Sequence, residues 1–228
     1  DDALVTGLFE RGVFSLACLH ESVNFALEGG AIETDGEGTL LSTWHCLTTR
    51  HPGKSRADVE AVLGKQLRLN RFLWLEHGAL QGDDTDAHID TLARFVDRET
   101  IVYQSCDDPD DPHYASLQAM ATELAALRTR DGRPYRVVAL PWAAPIHAVD
   151  GRRLAASYAN FLIVNGAILM PGYGDAADEA AADVLREQSR LDVEIVPCRS
   201  LIEQNGSLHC ITMQLPRGVL ADVWTRLR

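Results

Sequence analysis

No stretch of this chain approaches the roughly 18 uninterrupted apolar residues that a membrane-spanning helix requires. The opening Asp1-Asp2-Ala3-Leu4 lacks the basic and apolar regions of a secretory signal. It also lacks a Met, which points to a fragment or a processed product. Cysteine is sparse and scattered, at Cys18, Cys46, Cys106, Cys198 and Cys210. With no Cys-x-x-Cys pair, zinc-ribbon and disulfide-framework folds are excluded. Free thiols in a reducing, cytoplasmic setting are expected instead. Basic residues are outnumbered, 21 Lys and Arg against 33 Asp and Glu, for a net charge of −12. Binding along a phosphate backbone needs clustered cations, so nucleic acid is excluded as a partner, whereas a small cationic ligand suits a field of this sign. No linker or low-complexity tract interrupts the 228 residues, which read as one domain, 1–228, large enough to bury a core.

What is present is a repeated plan of strand, tight turn, strand and amphipathic helix. The first copy runs from Ala31-Ile32-Glu33-Thr34 through the turn Asp35-Gly36-Glu37-Gly38 to Thr39-Leu40-Leu41-Ser42-Thr43, then a helix over about 55–67 with Val59, Val62 and Leu63 on one face. The second pairs Leu92–Val96 with Thr100–Gln104 and continues, after an Asp- and Pro-rich loop, into a helix over about 114–128. In the third, Tyr158–Val164 meets Asn165-Gly166, a type I′ hairpin signal, and Ala167–Pro171 returns before a helix over about 176–190. Val137–Pro141 and Val193–Pro197 read as strands following their helices, and Leu208–Leu215 as a final strand. The turns fall near residues 36, 98 and 165. A period of about 60–67 residues, each unit mixing hairpin and helix, fits a closed α/β ring of pseudo-repeats.

Polar clusters fall at related spacings. Glu28-Gly29-Gly30 and His88-Ile89-Asp90 are 60 residues apart, and Cys210 lies 122 beyond His88. A thiol, an imidazole and two carboxylates recurring near one period would place one functional group per repeat at a shared centre, where nucleophilic chemistry is possible. Each has a plainer reading. Cys210 alone would be a buried small hydrophobe, but it follows the polar run Gln204-Asn205-Gly206-Ser207, which suits a loop at a site. His88 alone would belong to a solvated acidic loop; on a strand it would share a face with Asp90, as acid–base and cation-holding groups. Glu28 alone would be a surface charge at a strand end, although the glycines after it permit close approach of other groups. No third or fourth ligand stands at standard zinc spacing, so no metal is expected, and His45-Cys46 reads as structural. On a strand, His209 would point away from a centre that Cys210 faces.

Leu27-Glu28-Gly29-Gly30, Asp35-Gly36-Glu37-Gly38-Thr39, His88-Ile89-Asp90, Ala93-Arg94-Phe95, Ala156–Phe161, Asn165-Gly166-Ala167 and Leu208-His209-Cys210, in this order, resemble the agmatine deiminase and bacterial peptidylarginine deiminase family. The resemblance spans nearly the whole chain. It implies the pentein fold, five pseudo-symmetric α/β units around a central channel, and hydrolysis of a guanidino C–N bond without metal or cofactor. By the same resemblance, Cys210 is the nucleophile, His88 the general acid and base, and Asp90 and Glu28 the carboxylates that hold the guanidinium. It also implies a homodimer. Family members have a longer N-terminal part with a Trp-x-Arg-Asp-x-Gly-Pro type motif, which this chain lacks, so it corresponds to roughly the C-terminal three-fifths of a member with the ring incomplete. Ser207 stands where many agmatine deiminases have Asn. The expected reaction is agmatine to N-carbamoylputrescine and ammonia, in polyamine metabolism; the alternatives are arginine or peptidylarginine as substrate, or a non-catalytic binding remnant.

Overall fold

The computed structural model describes residues 2–222; residue 1 and residues 223–228 of the single-domain span lie outside the described residues. The described residues form two compact units, one of residues 27–212 and one that joins residues 2–26 to residues 213–222. In the smaller unit, helix α1 (Asp2–Glu10) leads to a bridge between Phe14 and Leu220, flanked by Ser15 N–H to Val219 C=O at 2.8 Å and Ala221 N–H to Val13 C=O at 2.9 Å.

The larger unit repeats one motif three times. Strands β1 (Glu33–Thr34), β2 (Thr39–Thr43) and β3 (Arg71–Leu75) form the first sheet, β4 (Ala93–Asp97), β5 (Thr100–Gln104) and β6 (Arg136–Leu140) the second, and β7 (Leu162–Val164), β8 (Ala167–Gly172) and β9 (Asp192–Pro197) the third. In each, the first pair is antiparallel and the second parallel. The hairpin closes through a tight turn, and the parallel strand returns after a helix: α3 (Arg56–Leu67), α4 (Tyr114–Ala126) or α5 (Asp178–Ser189). This is the pentein-type α/β propeller plan, with three of its units described.

Local chemistry accounts for the elements. Asn165 and Gly166 both take positive φ, 52° and 87°, as a type I′ turn demands. Ser55 caps α3 in a reciprocal box with Asp58, and Val59 and Leu63 bury one face of that helix. Leu117, Met120 and Leu124 do the same for α4, and Ala181, Ala182 and Leu185 for α5. Helix α4 packs on β6 of its own unit and on β3 of the unit before, and α5 packs on β8, β9 and β4. The apolar core therefore lies between consecutive repeats, one cluster around Leu75, Ile89, Ile101 and Met120, another around Tyr158, Phe161, Met170 and Leu185.

Several expectations change. Only Glu33–Thr34 of the expected 31–34 strand pairs, because Gly29–Ala31 forms a 3-10 turn. Likewise Leu162–Val164 is the paired part of 158–164. The expected strand 208–215 does not form: His209–Ile211 is a 3-10 turn, and Thr212 to Pro216 is irregular. Among the described residues no strand pairs with this segment, so β-propensity has no ladder to act on. Strand β3 and helix α2 (Trp44–Arg50) were not anticipated.

One buried cation ties the repeats together. Arg94, 4% exposed, donates Nε–H to Glu33 at 2.6 Å and N–H to the Phe161 carbonyl at 2.7 Å, joining β1, β4 and the approach to β7. Substituting Arg94→Met leaves a buried carboxylate and carbonyls unpartnered, and should cost about 3–5 kcal/mol in urea unfolding. Arg98→Ala, which breaks an exposed pair with Glu37, should cost about 1 kcal/mol or less.

Candidate active site

Each expected motif lies on a short 3-10 turn, and none lies on a strand. Glu28 precedes the turn Gly29–Ala31, His88 precedes Ile89–Thr91, and Cys210 sits inside His209–Ile211. The first turn packs against the other two. Their meeting point needs a glycine: a Cβ on Gly30 would stand 2.6 Å from His88 Nδ1 and 2.8 Å from Asp90 Oδ2. Gly29 faces open space, so only one of the two glycines serves close approach. His88 and Asp90 thus converge through a turn of 3-10 helix, although the shared strand face expected for them is absent.

Asp90 is fully buried and is the hub. Its Oδ2 lies 2.8 Å from His209 Nδ1 and 3.8 Å from Cys210 Sγ. His209 therefore points at the centre, contrary to the strand-based expectation, because the tight turn puts consecutive side chains on neighbouring sides where a strand would oppose them. Asn160, also fully buried, was missed as a functional residue. Its Nδ2 donates to the Asp90 carbonyl at 3.3 Å and to Cys210 Sγ at 3.4 Å, while its Oδ1 accepts from His209 N–H at 2.8 Å. The signal was available: Asn160 falls in the segment before the third hairpin, where Asp90 falls before the second and Gly30 before the first.

The turns are locked from behind. Ser157 Oγ donates to the Thr91 carbonyl at 2.6 Å, and Tyr173 OH joins the Ser157 carbonyl and Ser207 Oγ, both at 2.9 Å. Ahead of His88, Asp86 and Ala87 adopt left-handed backbone, φ 61° and 67°. Arg50, also missed, holds this loop by Nη1–H to Asp86 at 2.6 Å and Nη2–H to the Thr85 carbonyl at 3.4 Å. The same guanidinium donates Nε–H to Glu28 Oε1 at 2.5 Å. Thr43 Oγ adds a 2.7 Å bond to the Ala87 carbonyl.

The electrostatics separate the cysteines. Cys210 is the one exposed cysteine among the described residues; Cys46, Cys106 and Cys198 are buried and Cys18 is half-buried. Protein atoms crowding its sulfur, and then the Asp90 carboxylate, hold the Cys210 thiol above the usual range. Burial, aided by Glu28, pushes the Cys46 thiol up to about 12. Burial would raise Glu28 as well, but the hydrogen bond and charge of Arg50 hold it below the ordinary carboxylate range. Glu28, Cys46 and His88 each offer a metal-ligand atom within 4.8 Å of one another, a grouping that the spacing along the sequence does not reveal.

Among the described residues, three buried atoms at this centre have no hydrogen-bond partner: Glu28 Oε2, His88 Nε2 and Asp90 Oδ1. Buried polar atoms are normally paired, and a set left open together is a place for a ligand with N–H donors.

Comparison with known proteins finds relatives along nearly the whole chain. An agmatine deiminase of Stutzerimonas stutzeri is 40% identical over 217 residues, covering 86% of this chain and 59% of that protein. A solved structure from Porphyromonas gingivalis superposes with TM-score 0.92 at 48% identity, over 96% of this chain and 66% of that one. A cysteine-to-serine variant of C. jejuni agmatine deiminase with substrate bound gives TM-score 0.83 at 37% identity, over 91% and 60%. The chain thus spans 57% to 60% of the length of curated relatives that it matches. Residues 4–216 match the family described as Porphyromonas-type peptidyl-arginine deiminase, and the chain belongs to that family.

Proposed function

We propose that this chain carries the core of an agmatine deiminase site, with Cys210 as nucleophile, His88 as general acid and base, and Asp90 and Glu28 as the carboxylates that hold the guanidinium. The observation that carries the reading is the set of unpartnered atoms on Glu28, His88 and Asp90 beside the exposed Cys210 thiol. A guanidinium is planar, cationic and all donor, so its N–H groups answer the open carboxylate oxygens of Asp90 and Glu28 and fix its plane. Agmatine is favoured as substrate by the curated relatives.

In the free site Asp90 opposes ionisation of Cys210. Arrival of the cationic substrate neutralises that field and favours the thiolate, and the thiol proton passes to His88, which becomes the imidazolium. The thiolate attacks the guanidinium carbon, and the tetrahedral adduct expels ammonia as His88 delivers a proton to the leaving nitrogen. An amidino thioether remains on Cys210. His88 then takes a proton from water, the resulting hydroxide adds to the same carbon, and the C–S bond breaks. N-carbamoylputrescine leaves and the thiol is regained, with one water consumed and one ammonia released. Free thiols support a cytoplasmic setting for the reaction, and family resemblance supports a homodimer.

The direct test is formation of ammonia and ureido product from agmatine. Turnover should fall by at least about a thousandfold in Cys210→Ala and stay within about twofold in Cys18→Ala. Equal losses would remove Cys210 as nucleophile; turnover of arginine or peptidylarginine in place of agmatine would change the substrate, and binding without any turnover would favour a binding module.

The raised thiol makes a second test. Because the pKa of Cys210 is raised, the thiolate fraction in the free site should still be climbing above about pH 8.5, the ordinary thiol value, and iodoacetamide labelling should climb with it. Asp90→Asn should move that labelling profile to lower pH while turnover is lost. A profile that moves the other way would contradict the assigned field. Arg50→Gln, which frees both Glu28 and the loop before His88, should reduce kcat/KM by about a hundredfold, with partial recovery in Arg50→Lys.

A further inference from the structure

We infer that Glu28, Cys46 and His88 form a binding site for a thiophilic divalent cation, zinc above all, within the candidate active site but on a cysteine distinct from the nucleophile. The three side chains come from different segments: the lead into the first 3-10 turn, helix α2, and the loop before the second turn. Their ligand atoms lie within 4.8 Å of one another. Donors on a tetrahedral zinc stand about 3.5 Å apart, so small rotations close the set, and Glu28, at 40% side-chain exposure, has room to make them.

An independent observation points to a ligand. His88 is only 7% exposed, and its Nε2 has no partner among the described residues; the same holds for Glu28 Oε2. Cys46 is fully buried beside them and supplies the sulfur that sets this group apart from a carboxylate–imidazole pair. One sulfur, one nitrogen and one oxygen suit a borderline-soft ion over calcium or magnesium, and the fourth position remains for water. Arg50 places one positive charge near the group, while Asp83 and Asp86 add negative charge around Cys46. Binding exchanges the Cys46 thiol proton for a metal–sulfur bond, so one proton is released per ion bound. An ion held by Glu28 and His88 removes both groups from a guanidine substrate, and inhibition competitive with that substrate follows. The inhibition rests on the deiminase reading; the binding does not.

Binding is therefore tested by itself, by titrating the reduced chain with Co2+ and following the thiolate-to-cobalt charge-transfer absorption, with Zn2+ as displacing ion. The band should appear in the native sequence and in Cys210→Ala, and vanish in Cys46→Ser. Glu28→Gln and His88→Ala should weaken the apparent affinity by about tenfold or more. Circular dichroism reports whether Cys46→Ser folds; should it fail, the Glu28 and His88 variants carry the test. No band in the native sequence, a band that survives in Cys46→Ser or disappears in Cys210→Ala, or unchanged affinity in both the Glu28 and His88 variants, would each overturn the site.

Discussion

Arg94 sits where three repeats meet, and its guanidinium answers three needs that no single repeat meets alone. Glu33 of the first hairpin needs a counter-charge, the carbonyls of Ala159 and Phe161 before the third hairpin need donors, and the Phe161 ring needs a partner on its face, 5.0 Å away. A buried charge is tolerated only when it is paired and fully hydrogen-bonded, so this cation sets the spacing of the three units. The first two 3-10 turns of the site lead into the first and second of these hairpins, and the turn that carries Cys210, after β9, packs against the first turn. Their convergence depends on that spacing.

The site is built on opposite terms. Behind it, every bond is closed: Ser157 to Thr91, Tyr173 to Ser207, Arg50 to Glu28 and Asp86. At its front, Glu28, His88 and Asp90 each keep an atom open. An unpaired buried polar atom costs about 1–3 kcal/mol. That cost is sustained where the surrounding turns hold His88 and Asp90 buried, and it is returned when a cationic donor arrives. Burial, and then the Asp90 carboxylate, raise the Cys210 thiol in the free site, which links reactivity to occupancy.

Much of this was legible along the chain. The Asn165-Gly166 turn, the Ser55 cap and the i, i+4 apolar face of α3 are short-range signals, and short-range physics settles them. The pairing of motif with repeat identified Glu28, His88, Asp90 and Cys210 as a group. The geometry assigned to them was less sound. Alternation on a strand placed His88 and Asp90 on one face, whereas a 3-10 turn does so, and the same assumption sent His209 outward when it hydrogen-bonds to Asp90. Asn160 holds the place before its hairpin that Asp90 and Gly30 hold before theirs, a positional signal that went unused, whereas Arg50, a helix-end arginine, has no signature of its own; their partners lie 70 and 22 residues away.

The amino-acid sequence by itself determined the repeating hairpin–helix–strand plan, the acidic field and the chemical identities of the groups at the centre, since these follow from local propensity, charge and residue type. Only the tertiary structure decided which atoms meet. It turned three separated motifs into adjacent 3-10 turns around Gly30, made Asn160 and His209 partners of Asp90, distinguished the exposed Cys210 from the buried Cys46, and set that second thiol beside His88 and Glu28. The physical reason is that burial and orientation depend on packing between repeats, and no window of sequence shorter than the repeat contains both sides of that contact.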